Sequence, residues 1–262
     1  MPHVKRWTYN GEVWPSASTV TGLLHSDALD NWLRIAKNRK QGKLAQKKGS
    51  ALASYMEYKR KGIPSPGDIF SGICLEDIFS GICFRQWEKW FDAQDLVILE
   101  TEPHLVNTLD KYHGSPDLIA SDIYGEAVLG DDKLKKRFAD YKLLMNEHAY
   151  AMCDSIDMGN GNIIPVPWEF PIERIVFWSY DPDTGEMFVN EHEFIPEVYK
   201  DFLTLRKTYD IKNRAEEYFT EHATLLPSQE RKNATIAPQS TSPHPRGIVR
   251  DSAETEGKNS GN

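Results

Sequence analysis

The stretch GSPDLIASDIYGEAVLGDDK, residues 114–133, decides the fold of this chain. It contains two apolar runs, within 115–121 and 126–133, and the residues Ile123-Tyr124-Gly125 separate them. Apolar runs bounded by turn residues predict two antiparallel strands, and a three-residue loop favours a left-handed conformation at Gly125. The turn then fixes the register of the hairpin, because each residue before the loop has one partner after it.

Three charged side chains fall on one face of this predicted hairpin. Asp117 lies directly across from Asp131, so that their β-carbons are about 5 Å apart. Lys133 is two residues beyond Asp131 and therefore lies on the same face. The preceding predicted strand places Glu102 opposite Asp117, and Glu100, which has the same parity, is the alternative.

The two facing carboxylates predict a cation site. They repel each other, and both stay ionised only when a cation lies between them. A hard divalent ion such as Mg²⁺ suits carboxylate, carbonyl and water oxygens, and a neighbouring lysine can orient or help to activate an attacking water. These groups meet the needs of phosphodiester hydrolysis. The alternative is that these residues form a solvent-exposed segment, in which Asp117 caps a turn and the charged side chains have no common function.

The composition of the 262-residue chain excludes several classes of protein. Its 31 basic and 39 acidic residues give a net charge of −8, which excludes a globally basic nucleic-acid coat protein but not a local basic site. No run of eighteen apolar residues is present, and no signal-peptide core follows the first residues, so we expect a cytoplasmic protein without membrane contact. Three cysteines are too few for a four-thiolate site, so no iron–sulfur cluster is expected.

The basic residues are concentrated in one segment. Ten of them and a single acidic residue, Glu57, lie between Arg34 and Lys61. The pattern predicts a helix capped by Ser26 and a second helix over about 49–61. Two interpretations are open: a solvated helix face, or a surface that follows a phosphate backbone. Under the second interpretation, the residues that contact DNA are Lys37, Arg39, Lys40, Lys43, Lys47 and Lys48. Lys136 and Arg137 could also contact DNA, and the alternative for these two is the exposed start of a helix.

The order of the predicted elements indicates an α+β fold with a mixed sheet. Helices come first, then a three-strand meander, a helix, a hairpin and a last helix. The predicted strands are 96–106, 115–121, 126–133, 172–180 and 186–193. The later predicted helices are 138–153 and 196–219.

The domain organisation follows from this order. We expect one domain over 1–226, with a helical basic region over about 26–94 and a catalytic sheet over about 96–193. Residues 227–262 are rich in Pro, Ser, Thr and Asn and lack aromatics, so they are expected to form a disordered tail.

The charged motif resembles that of a known group of enzymes. A Gly-x-x-Asp117 motif is followed fourteen residues later by Asp131-x-Lys133, and a Gly-Ser-Ala-Leu segment precedes an Ala-x-x-x-Glu57 pattern. This arrangement, which extends over most of residues 15–155, resembles the PD-(D/E)XK nuclease superfamily. Within it, the match is to the RecB-like exonuclease branch, which includes phage-encoded exonucleases and the mitochondrial genome maintenance exonuclease.

The resemblance implies a restriction-endonuclease-like mixed β-sheet core flanked by helices, with an N-terminal helical region. It also implies a metal-dependent DNA exonuclease in which Asp117 and Asp131 bind Mg²⁺ or Mn²⁺. The backbone carbonyl of Asp132 assists, Lys133 is catalytic, and Glu102 is an auxiliary ligand, directly or through water. The basic helices would line a channel for single-stranded DNA, and a phage-encoded enzyme would act in the host cytoplasm.

Two departures from the branch's pattern leave alternatives open. The branch usually has a histidine where this chain has Ala53; His113 is a candidate to replace it, and the alternative is that His113 is a turn residue. Asn146-x-x-x-Tyr150 stands in place of a Gln-x-x-x-Tyr pattern; the two side chains share a helix face, and we assign them auxiliary roles. The alternatives are a catalytically inactive DNA-binding or adaptor protein on a nuclease scaffold, and a structure-specific endonuclease of the same superfamily.

Overall fold

The computed structural model describes residues 7–24, 36–63, 75–135, 140–159 and 161–223. The chain divides into two units, Met1–Ala215 and Glu216–Asn262, and of the second unit residues 216–223 are described and are helical. Several expectations lie outside the described residues: the helix after Ser26, the side chain of Lys37, Lys136 and Arg137, and the tail over 227–262.

The described residues form five helices and eleven strands. The helices are α1 (Ala17–Thr21), α2 (Ala36–Arg60), α3 (Leu75–Ala93), α4 (Tyr141–Ala151) and α5 (Pro196–Ala223). The strands are β1 (Thr8–Tyr9), β2 (Glu12–Val13), β3 (Val97–Thr101), β4 (Leu105–Asn107), β5 (Tyr112–Gly114), β6 (Leu118–Ser121), β7 (Ala127–Lys133), β8 (Ser155–Asp157), β9 (Ile163–Pro165), β10 (Arg174–Tyr180) and β11 (Met187–Glu193). No helix in these ranges is long and apolar enough to cross a membrane.

The larger sheet confirms the predicted α+β class. Its strands follow the order β11-β10-β7-β6-β3. The pairing of β7 with β10 is parallel and the other pairings are antiparallel, so the sheet is mixed as expected. Helices pack on both faces, which gives the flanked arrangement that the sequence predicted.

The central hairpin has the predicted register. Leu118 pairs with Gly130 and Ser121 pairs with Ala127, so the positions of Asp117 and Asp131 follow as the next pair. The turn is closed by hydrogen bonds at Asp122, and Gly125 adopts a φ of 86°, the left-handed conformation that the loop requires.

The predicted strand over 96–106 is wrong in its length. The backbone leaves the larger sheet after Thr101, because Glu102 adopts a φ of 50° and a register shift between Ile98 and Glu100 has already distorted the edge. The chain then forms β4 in a second sheet of order β5-β4-β8-β9, which the sequence did not predict.

The predicted helix start near Gly49 is also wrong. Helix α2 already includes Ala36, and Gly49 lies in its interior. The surrounding Ala, Lys, Gln and Leu residues have high helix propensity, and their sum outweighs the cost of an interior glycine, about 1 kcal/mol.

The two faces of the larger sheet bury different residues. Ile119, Leu129 and Phe177 belong to one core with Met145 of α4. Leu118, Val128 and Trp178 belong to another core with Met56 of α2 and Trp87 of α3. Because successive side chains of a strand point to opposite faces, Asp131 and Lys133 lie on the α4 face and Asp132 lies on the α2–α3 face.

Candidate active site

The structure brings together the three residues at the centre of the sequence-based hypothesis. Asp131 and Lys133 lie at the end of β7, and Asp117 lies directly before β6. The Lys133 ammonium forms an ion pair with Asp131, whose side chain is only about 5% exposed. The backbone N–H of Asp132 donates a hydrogen bond of 2.6 Å to Asp117 Oδ2, which holds the two strand ends together.

The electrostatics of this group differ from those of exposed charges. Burial and the neighbouring Asp131 carboxylate raise the pKa of Asp117 to about 7, and the two carboxyl groups lie within hydrogen-bonding reach. Burial opposes the charged form of Lys133, but attraction to Asp131, and then to Asp117 and Glu147, raises the pKa of the ammonium above its ordinary value. Lys133 is therefore charged at neutral pH and compensates only part of the negative charge around it.

Glu102 lies beside Asp117, as the sequence predicted. Its backbone N–H donates to the Asp117 carbonyl at 3.1 Å, one position beyond the last ladder pair of β3 and β6. Partial desolvation, and then repulsion from Glu57 and Asp117, raises the pKa of the Glu102 carboxyl group. Glu100 instead pairs with Ile119, because the bulge shifts the register by one residue.

The side chain of Asp132 points away from Asp131 into a separate buried network. Arg60, at the end of α2, contacts Asp132 Oδ2 at 2.6 Å, and Tyr180 donates its hydroxyl hydrogen to Asp132 Oδ1 at 3.0 Å. The Arg60 guanidinium is 1% exposed and lies 4.3 Å from the ring centroid of Trp87. Burial raises the pKa of Asp132, although Arg60 favours its charged form. The expected metal contact of the Asp132 carbonyl stays a prediction.

Sequence reasoning missed Glu147, which is a third carboxylate at the same place. It lies on α4, is 2% exposed, and its Oε2 atom has no hydrogen-bond partner. Burial, and then the adjacent Asp131, raises the pKa of Glu147 well above its ordinary value, and the two carboxyl groups are within hydrogen-bonding reach. The available signal was an acidic residue inside the buried stretch of α4 from Met145 to Ala151.

Asn146 and Tyr150 both lie in the core beside this group, but they have different partners. Thr21 of α1 donates its hydroxyl hydrogen to the Asn146 side-chain oxygen at 2.7 Å. The Tyr150 ring occupies the space that a β-carbon on Gly114 would need, so this position requires glycine. His113 does not join the carboxylates, since its Nδ1 lies 2.9 Å from Nε2 of His104.

The basic residues of α2 form an exposed surface, which we call the basic helix face. Arg39, Lys40, Lys43 and Lys47 are exposed, whereas Lys48 donates to the Pro182 carbonyl at 3.5 Å. At 1.5 Å per residue, the exposed residues lie roughly 20–30 Å along the helix from Arg60. Contact of these side chains with DNA stays a prediction.

Within the described ranges, no group of three or more His, Cys, Asp or Glu side chains forms a preformed metal cage. Lys133 is the cation that contacts Asp131. A divalent ion bound at this place would therefore share the Asp131 carboxyl group with the Lys133 ammonium.

Comparisons with known proteins found solved structures of low similarity. No protein-family model matches the chain, and no curated protein matches it. The crystal structure of an alkaline exonuclease (LHK-Exo) from Laribacter hongkongensis is similar at 14% identity, covering 82% of this chain and 95% of that chain, with a TM-score of 0.43. The LHK-Exo structure in complex with dAMP gives 15% identity, 81% and 95% coverage and a TM-score of 0.42. The crystal structure of SSO0001 gives 15% identity, 74% and 85% coverage and a TM-score of 0.30. At these values the activity has to be argued from the site itself.

Proposed function

We propose that this chain is a metal-dependent DNA exonuclease of the RecB-like PD-(D/E)XK type, which hydrolyses phosphodiester bonds at single-stranded ends. One observation carries the proposal. Asp117 and Asp131 face each other on adjacent strand ends, and the Lys133 ammonium lies against Asp131. A buried carboxyl group beside a second carboxyl group and a half-buried lysine is costly to keep in a fold, so the convergence of these residues favours a chemical role over an exposed segment of charged residues.

The residues present fit a hard divalent cation. Asp131 and Glu147 carry buried carboxyl groups, Asp117 carries a half-buried one, Lys133 is the cation that contacts Asp131, and Oε2 of Glu147 has no hydrogen-bond partner. Oxygen donors of this kind suit Mg²⁺ or Mn²⁺. On the proposal, Asp117, Asp131 and the Asp132 carbonyl hold the ion, with Glu102 as a direct or water-mediated ligand. When bound, such an ion polarises a phosphate oxygen and acidifies a water molecule.

The chain's own residues then have distinct roles. Lys133 is protonated in the metal-free protein, and its ammonium would donate a hydrogen bond to the attacking water or to a phosphate oxygen. The Asp132 N–H fixes the Asp117 carboxyl group through its 2.6 Å hydrogen bond. The basic helix face would hold the phosphates of the strand that leads to the site, since lysine and arginine supply most of the affinity for a nucleic-acid backbone.

The test compares matched variants on end-labelled linear single-stranded DNA, with Mg²⁺, with Mn²⁺ and with a chelator. Wild-type protein should degrade the strand only with metal. Asp131→Asn should lose cleavage while keeping its fold by circular dichroism. Asp183→Asn, the same change at an exposed turn position, should behave like wild type. Full cleavage by Asp131→Asn would overturn the assignment of the site, and cleavage in chelator would overturn the metal dependence.

A further inference from the structure

Glu147 is the one acidic side chain of the cluster that neither the motif nor the proposed function assigns. It comes from α4, while Asp117 and Asp131 come from the sheet, so it reaches the cluster from a different element. Its carboxyl group lies within hydrogen-bonding reach of Asp131, and Oε2 has no hydrogen-bond partner although the side chain is 98% buried. A buried carboxylate oxygen without a partner is costly, and cluster residues in the described structure do not satisfy it.

The cluster around Glu147 contains more acidic than basic side chains. Asp132 has its own counter-ion in Arg60, so it does not draw on Lys133. Lys133 is then the cation facing Asp117, Asp131 and Glu147, and it compensates one of three carboxylates. Three acidic side chains and one lysine thus meet in this cluster, an arrangement that a bound cation would stabilise.

We propose that Glu147 is a third carboxylate ligand of the divalent cation held by Asp117 and Asp131. The inference rests on the proposed function, since it concerns the same metal site, and it adds a ligand from the helical layer. Glu147 would hold the ion through Oε2 and so tie α4 to the strand ends. A role in packing alone does not explain the position, because methionine would fill a similar volume without a buried oxygen that has no hydrogen-bond partner.

The test measures binding of Mn²⁺ without DNA, by the electron paramagnetic resonance signal of the free ion. Four proteins are compared: wild type, Glu147→Gln, Asp131→Asn and the exposed turn variant Glu126→Gln as the matched control. We expect saturable binding to the wild type and to Glu126→Gln. Glu147→Gln should bind more weakly by at least about tenfold, the smallest usual cost of losing even an outer partner of a ligand, and Asp131→Asn should lose the site.

The outcomes separate this inference from the function on which it rests. Wild-type affinity in Glu147→Gln, together with loss of binding in Asp131→Asn, overturns the role of Glu147 and leaves the proposed nuclease site in place. No saturable binding to the wild type overturns both.

A second measurement does not depend on a variant of Glu147. Protein with the Glu102→Gln change is labelled with ¹³C at the glutamate carboxyl carbons and loaded with Mn²⁺. Pulsed electron paramagnetic resonance should then detect a ¹³C coupling from a directly bound glutamate. Absence of this coupling, with Mn²⁺ bound, contradicts the proposal.

Discussion

At the scale of single residues, Lys133 has two opposed effects. Its ammonium pairs with Asp131, so it neutralises the carboxylate that the metal would bind. On the proposed mechanism, the same ammonium stabilises charge at the phosphate during cleavage. The residue should therefore favour the reaction while competing with the metal in the free protein.

We expect Lys133→Met to separate these effects. Removing the ammonium should lower the cleavage rate by about 10²–10³-fold, the usual cost of losing one donor that stabilises developing charge. The same change should tighten Mn²⁺ binding, because the competing cation is gone. The measurements are single-turnover cleavage and Mn²⁺ titration, with the exposed Lys89→Met as the control. Unchanged cleavage in Lys133→Met contradicts the catalytic role.

Asp117 gives a prediction about pH and stability. Its pKa is about 7 in the folded protein, against an ordinary value of 3.8, because of burial and the adjacent Asp131. Between these values the folded state binds more protons than the unfolded state, so the free energy of unfolding of the metal-free protein falls through this group as the pH rises from about 4 to 7.

The measurement is urea unfolding in chelator at pH 5 and at pH 7.5, for wild type and for Asp117→Asn. The wild type should lose more stability than the variant on going to the higher pH, and Mg²⁺ should restore wild-type stability mainly at pH 7.5. Equal pH dependence in the two proteins would show that Asp117 titrates normally.

Among the secondary-structure elements, α2 is connected to β7 by the Arg60–Asp132 ion pair, on the face of the sheet opposite to Asp131 and Lys133. Both side chains are buried, at 1% and 4% exposure, and the Tyr180 hydroxyl donates a further hydrogen bond to Asp132. The backbone of Asp132 also holds Asp117. A change in this pair should therefore act on stability first and on the site through it.

Arg60→Met should lower the free energy of unfolding by about 3–5 kcal/mol, because it leaves the Asp132 carboxylate buried without a counter-ion. Adding Asp132→Asn to Arg60→Met should recover much of that loss. The neighbouring Lys61→Met removes only an exposed pair with Glu57 and should cost less than about 1 kcal/mol. Urea unfolding measures all three, and a double variant as unstable as the single one contradicts this account.

The strands show which features of the fold can be predicted from the sequence and which cannot. The register of the central hairpin follows from local turn chemistry and the alternation of side chains, so Asp117, Asp131 and Lys133 could be placed together in advance. The bend at Glu102 could not, because its positive φ belongs to a non-glycine residue and has no sequence signature. The second sheet depends on pairing of β4 with the distant β8, which local patterns do not encode.

The orientation of the helices at the candidate site could also not be predicted from the sequence. The motif directed attention to Asn146, but the orientation of α4 against β7 decides which of two neighbouring residues reaches Asp131. In the structure Asn146 contacts Thr21, and Glu147 faces the carboxylates. The pairing of Arg60 with Asp132 also joins residues far apart in the chain, so it required the tertiary structure.

At the scale of the whole molecule, the distribution of charge sets the conditions for DNA binding. The chain has a net charge of −8, yet the basic helix face exposes Arg39, Lys40, Lys43 and Lys47. A basic surface of this kind on an acidic protein should direct a phosphate backbone to that surface, and binding should weaken steeply with salt.

We expect the affinity for single-stranded DNA to fall strongly between about 50 and 200 mM salt. Lys40→Glu combined with Lys43→Glu should weaken binding and reduce the salt slope by about 0.7 for each lost phosphate contact. Fluorescence anisotropy in chelator measures binding without cleavage, and the exposed Lys207→Glu of α5 is the control. Affinity that does not change with salt would contradict a phosphate-binding role for this surface.

The most direct test of the central claim, a metal-dependent exonuclease site at Asp117, Asp131 and Lys133, uses linear and circular single-stranded DNA of the same sequence in one reaction. With Mg²⁺ or Mn²⁺, the account predicts that the wild-type protein removes the linear strand, leaves the circle intact and does neither in chelator. Loss of the circle would identify an endonuclease. Binding of both DNAs without cleavage in either metal would contradict the claim and identify an inactive DNA-binding protein.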